Sequence, residues 1–204
     1  MKQPLKSALI GSASLVAVAG TVLIPAAAVF ADTKTSNSTI SVLINPVIAL
    51  TGGTTVTIPA ITPTASGNLS SASDTVSVTT NDTAGYTLTL SASDATNALT
   101  SGANSIPASA NAVGSAAVLA SNTWGFALPG GTGFDATYSA ENNAASSTSK
   151  WAGMPVLASP YTLKSTSTTS LTADSTTVWY AVKANSSQPS GTYQDAVTYT
   201  ATTK

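Results

Sequence analysis

Apolar and polar residues alternate along most of this chain in blocks too short for helices. In Thr54-Thr-Val-Thr-Ile58 the alternation puts Val56 and Ile58 on one face of a half-buried strand. Asp74-Thr-Val-Ser-Val-Thr-Thr80 repeats the pattern with Val76 and Val78. Asn81-Asp-Thr-Ala-Gly85 then supplies a turn before Tyr86-Thr-Leu-Thr-Leu90, so these two segments predict a β-hairpin. Asn122-Thr-Trp-Gly-Phe-Ala-Leu128 reads as an aromatic strand with Trp124, Phe126 and Leu128 on one side. Tyr161-Thr-Leu-Lys164 is short and extended, followed by a hydroxyl-rich loop over residues 165–170. Thr176-Thr-Val-Trp-Tyr-Ala-Val-Lys183 is the next strand. A turn at Pro189-Ser-Gly-Thr192 leads into the terminal strand over residues 193–201, with Tyr193, Val197 and Tyr199 on one side. The last two strands are expected to pair as a second hairpin.

Three stretches depart from this rhythm. Residues 40–50, Ile-Ser-Val-Leu-Ile-Asn-Pro-Val-Ile-Ala-Leu, are rich in β-branched side chains and predict a strand broken at Pro46, which cannot donate to a ladder. Residues 91–120 are rich in Ala, Ser and Asn and predict a meander, with a short helical turn near residues 94–99 and an extended piece around Ile106. Residues 129–150 are polar, so they predict an exposed loop with a contact function. That loop and its return carry Phe134, Tyr138 and Trp151, the side chains placed best to touch a ligand or glycan. Trp124 and Trp179 sit inside strands and belong to the core. About eight strands with no amphipathic helix predict an all-β antiparallel sandwich of the Ig-like or jelly-roll type, formed by a single domain over residues 39–204.

Residues 1–31 follow the plan of an export leader. Lys2 and Lys6 precede an apolar stretch, and small residues stand before Asp32, so a cleavable signal helix with processing between Ala31 and Asp32 is expected. Residues 32–38 are polar and unpatterned, which predicts a flexible exit segment. The end at Thr203-Lys204 has no sorting-type tail, so covalent wall anchoring is not expected. The expected location is extracellular or at the cell surface, with no membrane span left after processing.

Composition narrows the chemistry. Charged residues make up only 7% of the chain and hydrophobic ones 43%, so hydroxyls and amides must form the polar surface. The formal net charge of −1 argues against nucleic acid as a partner. His, Cys and Arg are absent, which removes thiol chemistry, His-based triads and the usual zinc sites. Ser147-Thr-Ser-Lys150 matches S-x-x-K, but it lies in a loop rather than at a helix start. Asp82 and Asp135 stand at turns where backbone carbonyls could join them around Ca²⁺, without tandem acidic spacing. Lys164 and Lys183 are candidate donors for a Lys-to-Asx isopeptide link. No cofactor, no metal and no catalytic residue are expected.

Two segments carry a resemblance. Residues 81–90 together with Asn122-Thr-Trp-Gly-Phe126, and the closing Gln188-Pro-Ser-Gly-Thr-Tyr-Gln-Asp-Ala-Val-Thr-Tyr-Thr-Ala201, resemble the secreted surface β-sandwich proteins of Saccharibacteria. The closing segment is also similar to the last hairpin of WxL-type wall-binding domains and of coat or fimbrial sandwich domains. The Trp-x-Leu signature itself is missing; Trp124-Gly-Phe and Trp179-Tyr-Ala stand in its place. The export leader and the missing catalytic residue types point to a secreted or surface-associated structural or adhesive module without catalytic activity. Two alternatives stand beside it: a module that binds carbohydrate or cell wall, with cell-wall glycan or other surface proteins as partners, and a fibre subunit that assembles by strand addition through residues 40–50.

Overall fold

The computed structural model describes residues 32–53 and 55–204. The expected signal helix and its processing site at Ala31 lie outside the described residues, as does Thr54. The chain divides into two compact units, Met1–Val42 and Leu43–Lys204. In the first, the described residues 32–42 have no regular structure and are exposed.

The second unit is all-β, with no helix among the described residues. Its strands are β1 (Ile48–Thr51), β2 (Asn68–Thr80), β3 (Tyr86–Ala92), β4 (Leu99–Ser101), β5 (Asn104–Ile106), β6 (Thr123–Ala127), β7 (Tyr161–Ser165), β8 (Ser170–Ala184) and β9 (Val197–Thr203). They form antiparallel sheets in the orders β1-β2-β8-β6, β7-β3-β9 and β4-β5. The alternation in the sequence selects the inward faces. Val76 and Val78 of β2, Val178, Tyr180 and Val182 of β8, and Trp124 and Phe126 of β6 meet Tyr86, Leu88 and Leu90 of β3 and Leu163 of β7 in one buried cluster. Val197, Tyr199 and Ala201 of β9 pack against it.

Both expected hairpins are absent. β2 pairs with β8 and β1, whereas β3 pairs with β9 and β7, so residues 81–85 carry the chain from one sheet to the other. Likewise β9 joins β3 and not β8. Pleating fixes which side chains face the core, but the hydrogen-bonding edge is backbone and leaves no mark on the sequence. The short link Asn81-Asp-Thr-Ala-Gly85 is compatible with either crossing or pairing.

Other differences are local. Of the expected first strand only residues 48–50 form a ladder, extended by Thr51, and it begins opposite Thr80, the last residue of β2. Residues 55–58 make no ladder, yet Val56 and Ile58 still pack against the core while Thr55 and Thr57 are exposed. The expected helical turn near residues 94–99 is a bend instead. The Asp94 carboxylate accepts hydrogen bonds from the N–H and the hydroxyl of Thr96, at 2.8 and 2.9 Å, which holds a turn without a helix. β5 occupies the extended piece expected at Ile106.

The uncharged surface is built as expected, from hydroxyls. Opposed residues of β2 and β8 pair through their side chains, Thr75 with Thr177 at 2.9 Å and Ser77 with Ser175 at 2.8 Å.

Candidate functional site

The expected contact loop does not stand off the molecule. Residues 129–152 fold back over the outer face of the four-stranded sheet and close a second core there. Trp151 is wholly buried among Leu69, Leu119, Ala127 and Ala181. Tyr138 meets it edge-on with ring centroids 5.1 Å apart. The Tyr138 hydroxyl donates to the Lys150 carbonyl and accepts from the Asp135 N–H at 3.1 Å. Burial is the main influence on Tyr138 and pushes its hydroxyl above the usual tyrosine range. Backbone bonds complete the seat: Trp151 and Ala117 exchange hydrogen bonds, as do Ala152 and Phe126. Phe134, half-buried, packs on Phe126 of the main core with centroids 5.5 Å apart. A sugar platform needs an open ring face, and Trp151 turns none toward solvent. The three residues are brought into one region, but as the closure of a core.

An asparagine of the polar loop, Asn143, staples this region. Asn143, at φ 52°, accepts from the Thr62 N–H at 2.6 Å and donates to the Ala60 carbonyl at 3.1 Å. Next to it, Leu69 and Ala144 exchange backbone bonds, so residues near 144 extend the sheet at the start of β2. The left-handed backbone favours Asn among non-glycine residues, and this is the one signal the sequence offers for such a role.

The candidate chemistries separate in space. Ser147 of the S-x-x-K match donates to Glu141 Oε1 at 2.9 Å, and Ser149 to the same oxygen at 2.8 Å. Lys150 instead lies 3.8 Å from Asp135 Oδ1. Asp82 Oδ1 caps its own turn by accepting from the Ala84 N–H, while Asp135 Oδ2 accepts from the Lys150 N–H. Among the described residues no group of three or more His, Cys, Asp or Glu side chains converges as a metal site would need.

Of the two lysines considered as isopeptide donors, Lys164 meets a carboxylate. Its Nζ pairs with Asp174 Oδ1, and the Tyr86 hydroxyl donates to Asp174 Oδ2 at 2.8 Å, joining β7, β8 and β3 across the two larger sheets. Burial alone would raise the Asp174 carboxyl, but the bonds from Lys164 and Tyr86 outweigh it and hold the group below its ordinary 3.8. A carboxyl lowered by folding stabilises the folded chain above the unfolded pKa and loses that contribution as pH falls through the folded one. Asp174→Asn is therefore expected to lower the urea midpoint at pH 7. The difference from the parent chain should shrink as pH falls below 3.8. With the two side chains 35% and 27% exposed, solvent screening keeps the loss below about 1 kcal/mol. Equal differences at pH 7 and pH 3 would refute this.

The segment that leads into β1 is also unusual. The Val47 N–H donates to Asn81 Oδ1 at 2.6 Å, Asn81 Nδ2 donates to the Asn45 carbonyl at 3.2 Å, and the Thr80 hydroxyl donates to the Val47 carbonyl at 2.8 Å. Ile48 pairs with Thr80, the last residue of β2, so the chain before Val47 runs past the end of the strand that β1 pairs with. Ile40, Val42, Leu43, Ile44 and Val47 are 94%, 84%, 85%, 76% and 65% exposed. No protein-family model, curated protein or solved structure matches this chain.

Proposed function

We propose that this chain is an exported, non-catalytic structural subunit, an Ig-like β-sandwich at the cell surface that associates with copies of itself through the apolar arm of residues 40–47. One observation carries the reading: the arm overruns the end of β2 with its β-branched side chains in water. Scattered single apolar residues are normal on a surface, but a contiguous run is a docking element. The arm has no charge and no glycine, and its β-branched residues suit a strand. Each large side chain buried contributes on the order of 1.5–3 kcal/mol. Burying two thus outweighs a good part of the cost of association, on the order of 4–15 kcal/mol. The leader-like residues 1–31 and the scarcity of charged side chains support the exported location.

The test changes the arm and leaves the sandwich alone. In sedimentation velocity, the full chain purified as the producing cell processes it is expected to gain mass as concentration rises. Val42→Asp combined with Ile44→Asp is expected to weaken that association at least about 100-fold, as loss of roughly 3 kcal/mol implies. Its urea midpoint should stay unchanged. A parent chain that remains monomeric at every concentration would sink the proposal.

A further inference from the structure

The open edges of the two larger sheets differ in how they are guarded. β1 has only 4 residues and turns away at Gly52. β6 is bridged by Ala108 and Ala152. β7 carries Lys164, and its register with β3 shifts. Charge, irregularity, shortness and cover are the devices that keep a sheet edge from pairing with another chain. β9 is the longest of these edges and has neither charge nor irregularity, although β1 of the other sheet runs near it. Its 7 residues hold an unbroken register with β3 and contain no charge, proline or glycine.

The direction of its free backbone groups follows from two bonds. The Ser93 N–H donates to the Ala196 carbonyl and the Lys204 N–H to the Gly85 carbonyl, which continues the β3–β9 register with even-numbered residues bonded toward β3. In an antiparallel ladder the alternate residues point to the other edge. The N–H and C=O groups of Val197, Tyr199, Ala201 and Thr203 are therefore directed away from β3, and among the described residues none of them is hydrogen-bonded across that edge. Beside this edge a cavity of about 260 Å³ is lined by Leu50, Val76, Val197 and Tyr199, with Gly52 and Gly53 at its rim.

We infer that β9 is the acceptor, and that residues 39–45 of a second copy add to it as a fourth strand of the β7-β3-β9 sheet. This rests on the proposed self-association and names the surface that serves it. Residues 39–45, up to Pro46, match β9 in length, and both are uncharged. With Ile40, Val42 and Ile44 turned inward, the added strand continues the apolar face of Val197, Tyr199 and Ala201 and sets one aliphatic side chain over the cavity. Ser41 then stands on the outer face beside the exposed Thr198, Thr200 and Thr202. Because β9 is used by the arm of another molecule, the contact is head-to-tail and extends into chains of subunits unless it closes as a ring.

The absence of cysteine makes the test direct. Full chains carrying Ser41→Cys are mixed with chains carrying Thr198→Cys, Thr200→Cys or Thr202→Cys under mild oxidation, with Thr162→Cys on the exposed side of β7 as control. Side chains directly opposed on paired strands lie within disulfide reach. The expected result is a mixed dimer with at least one β9 variant, formed at least tenfold faster than with Thr162→Cys. Equal or faster crosslinking to Thr162→Cys would overturn the inference, as would a link formed only within one chain in a Ser41→Cys, Thr200→Cys double variant. Association without any crosslink at β9 would overturn it too, while leaving the self-association reading in place; loss of association in the parent chain would remove both.

Discussion

Trp151→Ala is expected to destabilise the chain by about 3–5 kcal/mol, the range for removing a large aromatic side chain from a closed core. Total stabilities of domains are on the order of 5–15 kcal/mol, so this single change should remove a large part of what holds the fold. Trp151 is wholly buried and touches residues from β2, β6 and β8 as well as Tyr138 of the long loop. Without it the loop over residues 129–150 loses its anchor on the sheet. Trp151→Phe should cost less, since the ring is largely kept. It also removes the indole N–H, which is buried without a hydrogen-bond partner and is itself a cost. Urea unfolding followed by circular dichroism would measure both. An unchanged midpoint for Trp151→Ala would mean that the second core does not hold the loop. Loss of any wall binding in that variant would report unfolding rather than a lost sugar contact.

Gly125→Val is expected to be comparably damaging. Gly125 lies in β6 between Trp124 and Phe126, and a Cβ built there would overlap the carbonyl oxygen of Ala152. That carbonyl accepts from the Phe126 N–H at 2.9 Å, and the Ala152 N–H donates to the Phe126 carbonyl at 3.0 Å. A side chain at position 125 must push residues 151–152 off the edge of β6, which breaks both bonds and unseats Trp151. Two backbone bonds at about 1 kcal/mol each, with overpacking of about 1–3 kcal/mol, give a loss of roughly 3–5 kcal/mol. Gly125→Ala should fall in the same direction, because the overlap arises at the first side-chain atom. A thermal midpoint equal to that of the parent would refute the close approach.

Sequence pattern carried the inward faces well. Val76 and Val78, Tyr86, Leu88 and Leu90, and Val197 and Tyr199 all reach one core as their alternation indicates. Strand neighbours were not legible, since Asn81-Asp-Thr-Ala-Gly85 closes a hairpin or crosses between sheets with the same residues. The seat of the long loop was not legible for a different reason. Its polar composition marks a surface segment, and it does lie on the surface side, but over a patch that needs covering. The signal was in β8, where Val178-Trp-Tyr-Ala-Val182 is apolar on both faces, and in β2, where Leu69 points away from the main core. A strand apolar on both faces is buried on both, and something in the chain had to supply the second cover.

The arm before Pro46 shows the converse. Its pattern is that of a strand, yet the strand forms only from Ile48 onward because β2 ends opposite that residue. Strand propensity without a partner in the same molecule is the basis of the self-association reading.

Backbone hydrogen exchange at Ser41, Val42, Leu43 and Ile44 tests that reading most directly, because a strand added to a neighbour protects its amides and a free arm does not. The full chain is to be followed at high concentration and again after dilution. The expected result is slow exchange of alternate amides in this stretch at high concentration and fast exchange of all four on dilution, with β2 and β8 protected throughout. Fast exchange of all four amides at both concentrations would contradict it.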